Sequence, residues 1–322
     1  MTALLPLLAV HIDDGYLTLP WLAGGFAVAG LLALWGAWRI RDEEVPRVAL
    51  LTAAFFVASL MHVSVGPTSV HLLFNGLVGV VLGRRACLAI PVGLFLQAAL
   101  FHHGGFTTLG VNSVVMTLPA LLAWGLFAGL RRVRWLRHPG FRAALVAVSA
   151  LAWTLSLVFS VALLCTNRLT QLDHLDVVPA VRLTLHPLTL AAAALVAGAA
   201  VWLERRLENR PEFPLGLLLG EVAVLATICL NCLVLLYGGQ EDWHALALGV
   251  FVAHLPIAVI EGVVLGFTVG FLVRVKPEML RWTVAEEDHA LSMGTAAVAC
   301  AALESAGADG DGGERAGAPA GG

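Results

Sequence analysis

His11-Ile12-Asp13-Asp14-Gly15-Tyr16-Leu17 stands directly before the first long apolar segment of this chain, residues 19–38. A histidine and two aspartates at the mouth of a hydrophobic run put cation-binding side chains at the edge of a membrane-embedded bundle. Further on, Gly66-Pro67-Thr68-Ser69-Val70-His71 opens another apolar segment in the same way. Read together, His11 and His71 form the two halves of a metal-capture site at one edge of that bundle.

Composition agrees with a membrane setting. The chain has 322 residues, 59% hydrophobic and 13% charged, with a mean hydropathy of +0.87. Soluble domains carry about 45–50% apolar and about 25% charged residues. The bilayer is therefore the solvent for most of this chain. A formal net charge of −3 gives no reason to expect a nucleic-acid partner. Cysteines 87, 165, 229, 232 and 300 suggest no disulfide framework. Cys229 and Cys232 form a CxxC within an apolar run, which reads as one buried helix face. No GxxxxGK[ST], HExxH or GxSxG occurs, so P-loop ATP binding and the common zinc-protease and hydrolase signatures are excluded.

About nine apolar segments approach spanning length at ~1.5 Å per residue. They run roughly over 19–38, 47–65, 70–83, 86–103, 107–130, 141–165, 184–203, 214–237 and 244–273. Arginine alternates between the connections. Arg39, Arg41 and Arg47 follow the first segment, and Arg84 and Arg85 the third. Arg131, Arg132, Arg134, Arg137 and Arg142 follow the fifth, Arg205, Arg206 and Arg210 the seventh, and Arg274, Lys276 and Arg281 the ninth. The positive-inside rule then predicts an N-out, C-in, all-α polytopic bundle. The outer face would carry His11, Asp13, Asp14, His71, His102, His103, Asp173, His174, Asp176, Glu241, Asp242 and His244, a modestly negative and histidine-rich surface.

Polar residues also occur inside the apolar runs. His71 and Asn75 are four apart, as on one helical face. Gln97 lies in the fourth segment, Asn112 in the fifth, and His254 and Glu261 in the ninth. Such groups either mark a transport path or brace helices to one another, and bracing is the plainer reading. His254 and Glu261 as an acid/base pair of a membrane enzyme is a more distant reading. Glycines 104, 105 and 110 suggest a tight-turn or re-entrant device. Gly25, Ala29, Ala33 and Ala37 recur every fourth residue on the first span, a small-residue face on which a partner helix could dock. Residues 283–322 turn Gly-, Ala- and Asp-rich and predict a cytoplasmic tail without a core.

The segments His11–Leu17, Gly66–Leu73, His103–Asn112 and His254–Gly262, followed by Phe271-Leu272-Val273-Arg274-Val275-Lys276-Pro277, resemble the CbiM/NikM family. These are the substrate-capture components of energy-coupling-factor transporters for cobalt and nickel. The resemblance covers residues 11–130 and 212–280. It implies Co2+ or Ni2+ as transported substrate and no tightly bound organic cofactor. It also implies a transmembrane coupling (T) subunit and ATP-binding-cassette ATPase subunits as partners, with a small accessory membrane subunit a further candidate. The chain itself would be no enzyme and would reside in a bacterial cytoplasmic membrane. A non-transporting metal sensor or assembly subunit on the same fold is the alternative.

The resemblance further implies a coordination mode. In the family the first-motif histidine is the second residue, so a free N-terminal amine, the histidine's backbone nitrogen and its Nδ1 chelate one ion. The residue matching His71 would close a square-planar N4 set, a geometry that suits Ni2+ better than Zn2+. Ser69, Asn75, Gln97, His103, Asn112, His254 and Glu261 would support these ligands. Here residues 1–10 precede His11, and a chain starting at Val10, its codon read as Met, would restore the family pattern. Residues 1–10 are thus expected to be an extension, spurious or processed. Residues 11–138 and 212–282 would form a metal-capture core of about seven spans, and residues 139–211 an inserted helical pair.

Overall fold

The computed structural model describes residues 11–60, 62–65, 68–133, 138–166, 176–207 and 212–280. The expectations for residues 1–10, for Asp173 and His174, and for the tail beyond residue 280 fall outside them. The elements are α1 (Leu19–Ala37), α2 (Val45–Leu60), β1 (His62–Val65), β2 (Thr68–His71), α3 (Asn75–Leu82), α4 (Ala86–Phe101), α5 (Leu109–Leu130), α6 (Pro139–Thr166), α7 (Val178–Thr184), α8 (Pro187–Leu207), α9 (Glu212–Gly238) and α10 (His244–Val275). Seven helical stretches, Asn75–Phe101 counted as one, are long and apolar enough to cross a membrane. With α2 added and α3 and α4 taken separately, they fall on the nine apolar segments. The protein is a nearly all-helical, multi-pass membrane bundle with one short strand pair.

α1 packs on α5 and α4, α5 also on α3 and α9, and α6 on α8. On α1, Leu31, Leu34 and Trp35 remain exposed, as expected of a helix whose outer face meets lipid. The close approach of α1 to α5 rests on two glycines. A Cβ on Gly110 would run into the backbone of Gly25 and Phe26, and one on Gly25 into Val111. The small-residue face expected to receive a partner is therefore, at Gly25, occupied by α5 of the same chain. Ala29 and Ala33 are half-buried and only Ala37 is exposed. Gly110 serves this crossing and not a turn. We expect Gly110→Ala to destabilise the protein by about 1–3 kcal/mol through overpacking. Gly24→Ala, which meets open space, should not. Thermal unfolding in detergent compares the two.

One stretch departs from the sequence reading. Residues 62–65 and 68–71 pair as antiparallel strands, with His62 opposite His71 and Val65 opposite Thr68. The β-branched Val63, Val65 and Val70 around Gly66-Pro67 favour strand and turn over helix. His71 and Asn75 thus do not share a helical face: His71 ends β2 and Asn75 begins α3, after Phe74 in the left-handed region. Cys229 and Cys232 are not a buried face either. Cys229 is exposed, and half-buried Cys232 donates its thiol to the Ala247 carbonyl at 3.4 Å.

Candidate metal centre

Residues 11–18 are laid across one end of the bundle and pinned there by backbone bonds. Thr18 N–H donates to Gly238 O at 2.9 Å and Gln240 N–H to Tyr16 O at 2.9 Å. Gln240 Nε2 adds a bond to Leu17 O at 2.8 Å. Ile12 and Leu17 pack with Val111, Val115, Val234 and Leu235, and the Tyr16 and Trp243 rings lie 4.7 Å apart. Asn112, near the start of α5, fixes Ile12 from both sides. Its Oδ1 accepts from Ile12 N–H at 3.0 Å and its Nδ2 donates to Ile12 O at 2.9 Å. Thr108 Oγ1 donates to the same carbonyl at 2.6 Å.

The turn between α4 and α5 completes the support. Asp14 accepts from Phe106 N–H at 3.2 Å and from the N–H of Thr107 at 2.8 Å, and its Oδ1 also accepts from the Thr107 hydroxyl. These bonds outweigh the opposing effect of partial burial and lower its pKa. Burial and the charge of Asp14 raise that of Asp13. Gly104 has φ +72°, a left-handed conformation that glycine adopts without strain, and a Cβ on Gly105 would overlap Asp14. The turn can therefore lie flat against the N-terminal segment and present His103 beside it.

Three imidazoles converge in this corner. The His11 and His71 rings stack at 4.9 Å with 18° between planes. His103 stands edge-on to both, at 4.8 Å and 88° from His11 and 5.4 Å and 75° from His71. One ring nitrogen from each comes within 4.8 Å of the others. His11 and His71 are 2% and 1% exposed, and His103 is half-buried. Burial, and then the positive charges of His71, His103 and His254, hold the His11 imidazole well below its ordinary pKa. The site therefore favours neutral imidazole, the form that binds a metal. His71 Nδ1 lies 3.1 Å from the Leu72 carbonyl, which can only accept. Nδ1 thus carries the proton, and Nε2 is the nitrogen with the lone pair. An all-nitrogen imidazole set without thiolate suits first-row divalent metals such as Zn2+, Cu2+ and Ni2+.

The other expected residues sort clearly. Asn75 Nδ2 donates to Thr227 Oγ1 at 2.6 Å and Met116 O at 3.2 Å, bracing α3 to α9 and α5. Glu261 accepts from the backbone of Leu73 and Phe74. His254 is fully buried and bonds only within its own helix, Nδ1 to Val250 O at 2.7 Å, while Nε2 finds no hydrogen-bond partner among the described residues. The Gln97 amide is likewise buried without a partner among them. The bracing expected of these four polar groups thus fits Asn112 and Glu261, and not Gln97 or His254. The Ser69 side chain lies outside the described residues. On sequence grounds His103 was a supporting residue, yet it stands as close to His11 as His71 does. Its place depends on the turn at Gly104, which only the folded chain reveals.

Comparison with known proteins adds the family context. Residues 11–206 and 183–279 match the CbiM family, described as "Cobalt uptake substrate-specific transmembrane region". A cobalt transport protein CbiM of Geobacter sulfurreducens is 32% identical over 218 residues, covering 64% of this chain and 62% of that protein. A relative in Methanocorpusculum labreanum bearing the name of a fused cobalt transport protein CbiMQ is 34% identical over 122 residues, covering 35% of this chain and 20% of that protein. The chain spans about three-fifths of the length, or less, of the curated relatives it matches first. A solved transition metal transporter aligns with a TM-score of 0.48 and 20% identity, over 82% of this chain and 93% of that one.

Proposed function

The chain belongs to the cobalt uptake substrate-specific transmembrane family, and on that premise we propose that it captures Co2+ or Ni2+ for uptake across a bacterial cytoplasmic membrane. The observation that carries this reading is the convergence of His11, His71 and His103, with ligand atoms within 4.8 Å of one another. The histidine-bearing end faces outward, where Asp13 and Asp14 give an arriving cation a negative field. The chain is one component of an energy-coupling-factor transporter. Energy comes from ATP-binding-cassette ATPase subunits through a transmembrane coupling subunit, and the fused CbiMQ name of one relative fits such a membrane partnership. A small accessory membrane subunit is a further partner of this assembly.

His11 and His71 supply the first ligands, and the half-buried His103 adds a third nitrogen on the side facing the turn. In a chain starting at Val10, read as Met, the terminal amine and the His11 backbone nitrogen complete a square-planar chelate with His71. The family match begins at residue 11, which supports reading residues 1–10 as outside the family core. We read residues 139–211 as an inserted helical pair, whose helices α6 and α8 pack on each other.

A membrane enzyme built on His254 and Glu261 is not supported. Both are buried, and neither lines the cavity bounded by Val146, Trp153 and Phe267 or the one beside Trp21 and Val111. A sensor or assembly subunit would bind the ion without moving it. Calorimetric titration of Ni2+ and Co2+ into two forms in detergent tests the site, one starting at Met1 and one at an initiating Met in place of Val10. Tight binding by the short form alone supports the amine chelate. Tight binding by both means that the imidazoles suffice. Binding by neither overturns the reading. Ni2+ accumulation by cells carrying the whole transporter then separates uptake from sensing.

A further inference from the structure

The peptide group joining Leu72 to Leu73 is held at both ends. Its carbonyl accepts from Nδ1–H of His71 at 3.1 Å. Its N–H donates to Glu261 Oε1. The next N–H, of Phe74, reaches both carboxylate oxygens, at 3.1 and 2.9 Å. Phe74 sits at φ 49° and ψ 6°, a left-handed conformation that a bulky residue adopts only where its surroundings enforce it. Glu261 supplies that enforcement from α10, 187 residues away in sequence. Its carboxylate also lies at the start of α3, where free N–H groups and the helix dipole favour negative charge. Leu73 is fully buried and Glu261 only 4% exposed, so these bonds form away from water, where they are strongest.

We propose that Glu261 is the positioning residue of the metal centre, acting through the Leu72–Leu73 peptide to fix the His71 tautomer and aim its Nε2 at the ion. This rests on His71 being a ligand. Metal-bound histidines commonly donate their second N–H to a carboxylate or a carbonyl, which sets ring orientation and tautomer. Here the carbonyl receives the imidazole N–H and the carboxylate receives the N–H of the same peptide. The carboxylate thus polarises the group that orients the ligand. The hydrogen bonds of Glu261 among the described residues go to the backbone N–H groups of Leu73 and Phe74.

The test titrates Ni2+ and Co2+ into the full chain in detergent, comparing wild type, Glu261→Gln, His71→Ala and the double variant. Glu261→Gln keeps the shape but replaces one acceptor oxygen with an N–H donor facing the backbone N–H groups of Leu73 and Phe74. It should weaken binding roughly 10- to 100-fold, the range for outer partners of metal ligands, and shift the ligand-field bands of bound Co2+. If Glu261 acts through His71, Glu261→Gln should add little to the loss already caused by His71→Ala. Wild-type affinity and spectrum in Glu261→Gln would overturn the proposal, and so would full additivity in the double variant. Should Glu261→Gln aggregate, Glu261→Asp replaces it: weaker binding at unchanged melting temperature is expected, and unchanged binding would overturn the proposal. If His71→Ala itself binds as wild type does, the metal-centre reading fails first. If only His71→Ala loses binding, the positioning role alone fails.

Discussion

Replacing His71 with alanine is expected to weaken Ni2+ and Co2+ binding by well over 100-fold, beyond the roughly 10- to 100-fold that loss of an outer partner costs. His71 is 1% exposed, stacked on His11 at 4.9 Å, and held by the Leu72 carbonyl as the tautomer with its lone pair on Nε2. Removing it leaves only two of the three converging imidazoles, His11 and His103, to hold the ion. His102→Ala is the matched control. That residue is adjacent to His103 but exposed, and its loss should leave affinity unchanged. Titration calorimetry measures both, with monodispersity and helix content confirming that each variant is folded. Equal binding by His71→Ala and wild type would move the metal site elsewhere.

The second large effect lies at the other end of α1. Arg85, 3% exposed, donates to the Gly36, Trp38 and Arg39 carbonyls at 2.5, 3.0 and 2.9 Å and to Glu44 at 2.7 Å. One guanidinium thus satisfies carbonyls that the end of a helix leaves unbonded, and pairs with a buried carboxylate. Arg85→Met should destabilise the fold by about 3–5 kcal/mol, because it leaves buried Glu44 with only the exposed Arg41 guanidinium, 3.8 Å away, as a counter-charge. Adding Glu44→Gln should restore part of that loss. Denaturant unfolding in detergent checks both variants. The Arg85 hydrogen bond, with help from the Arg41 backbone, lowers the Glu44 pKa from 4.5 to about 2. A carboxyl depressed in the fold contributes stability above its unfolded pKa. That contribution should be lost as pH falls from about 4.5 toward 2.

Much of the architecture was legible because a bilayer imposes length and apolarity on each span. The nine apolar segments matched the helices to within a few residues at most ends. The strand pair was missed for a physical reason: a short Val-rich run fits strand and helix about equally well, and only the Gly66-Pro67 turn favours strand. The site was half legible. His11 and His71 stood out because each precedes an apolar run. His103 and Glu261 owe their roles to contacts that no spacing reveals. Glu261 meets Phe74 across 187 positions. At Gly25 the small-residue stripe misled, because close packing inside a chain and docking of a partner need the same residues. Gly25 turned out to serve the former.

The central claim is that three histidines at one end of the bundle hold the ion. X-ray absorption at the nickel edge on the Ni2+-loaded full chain tests it most directly. A first shell of nitrogen, with the outer-shell scattering of imidazole that diminishes in His71→Ala and in His103→Ala, is the predicted result. A sulfur-containing shell, or an oxygen shell without imidazole scattering, would contradict it.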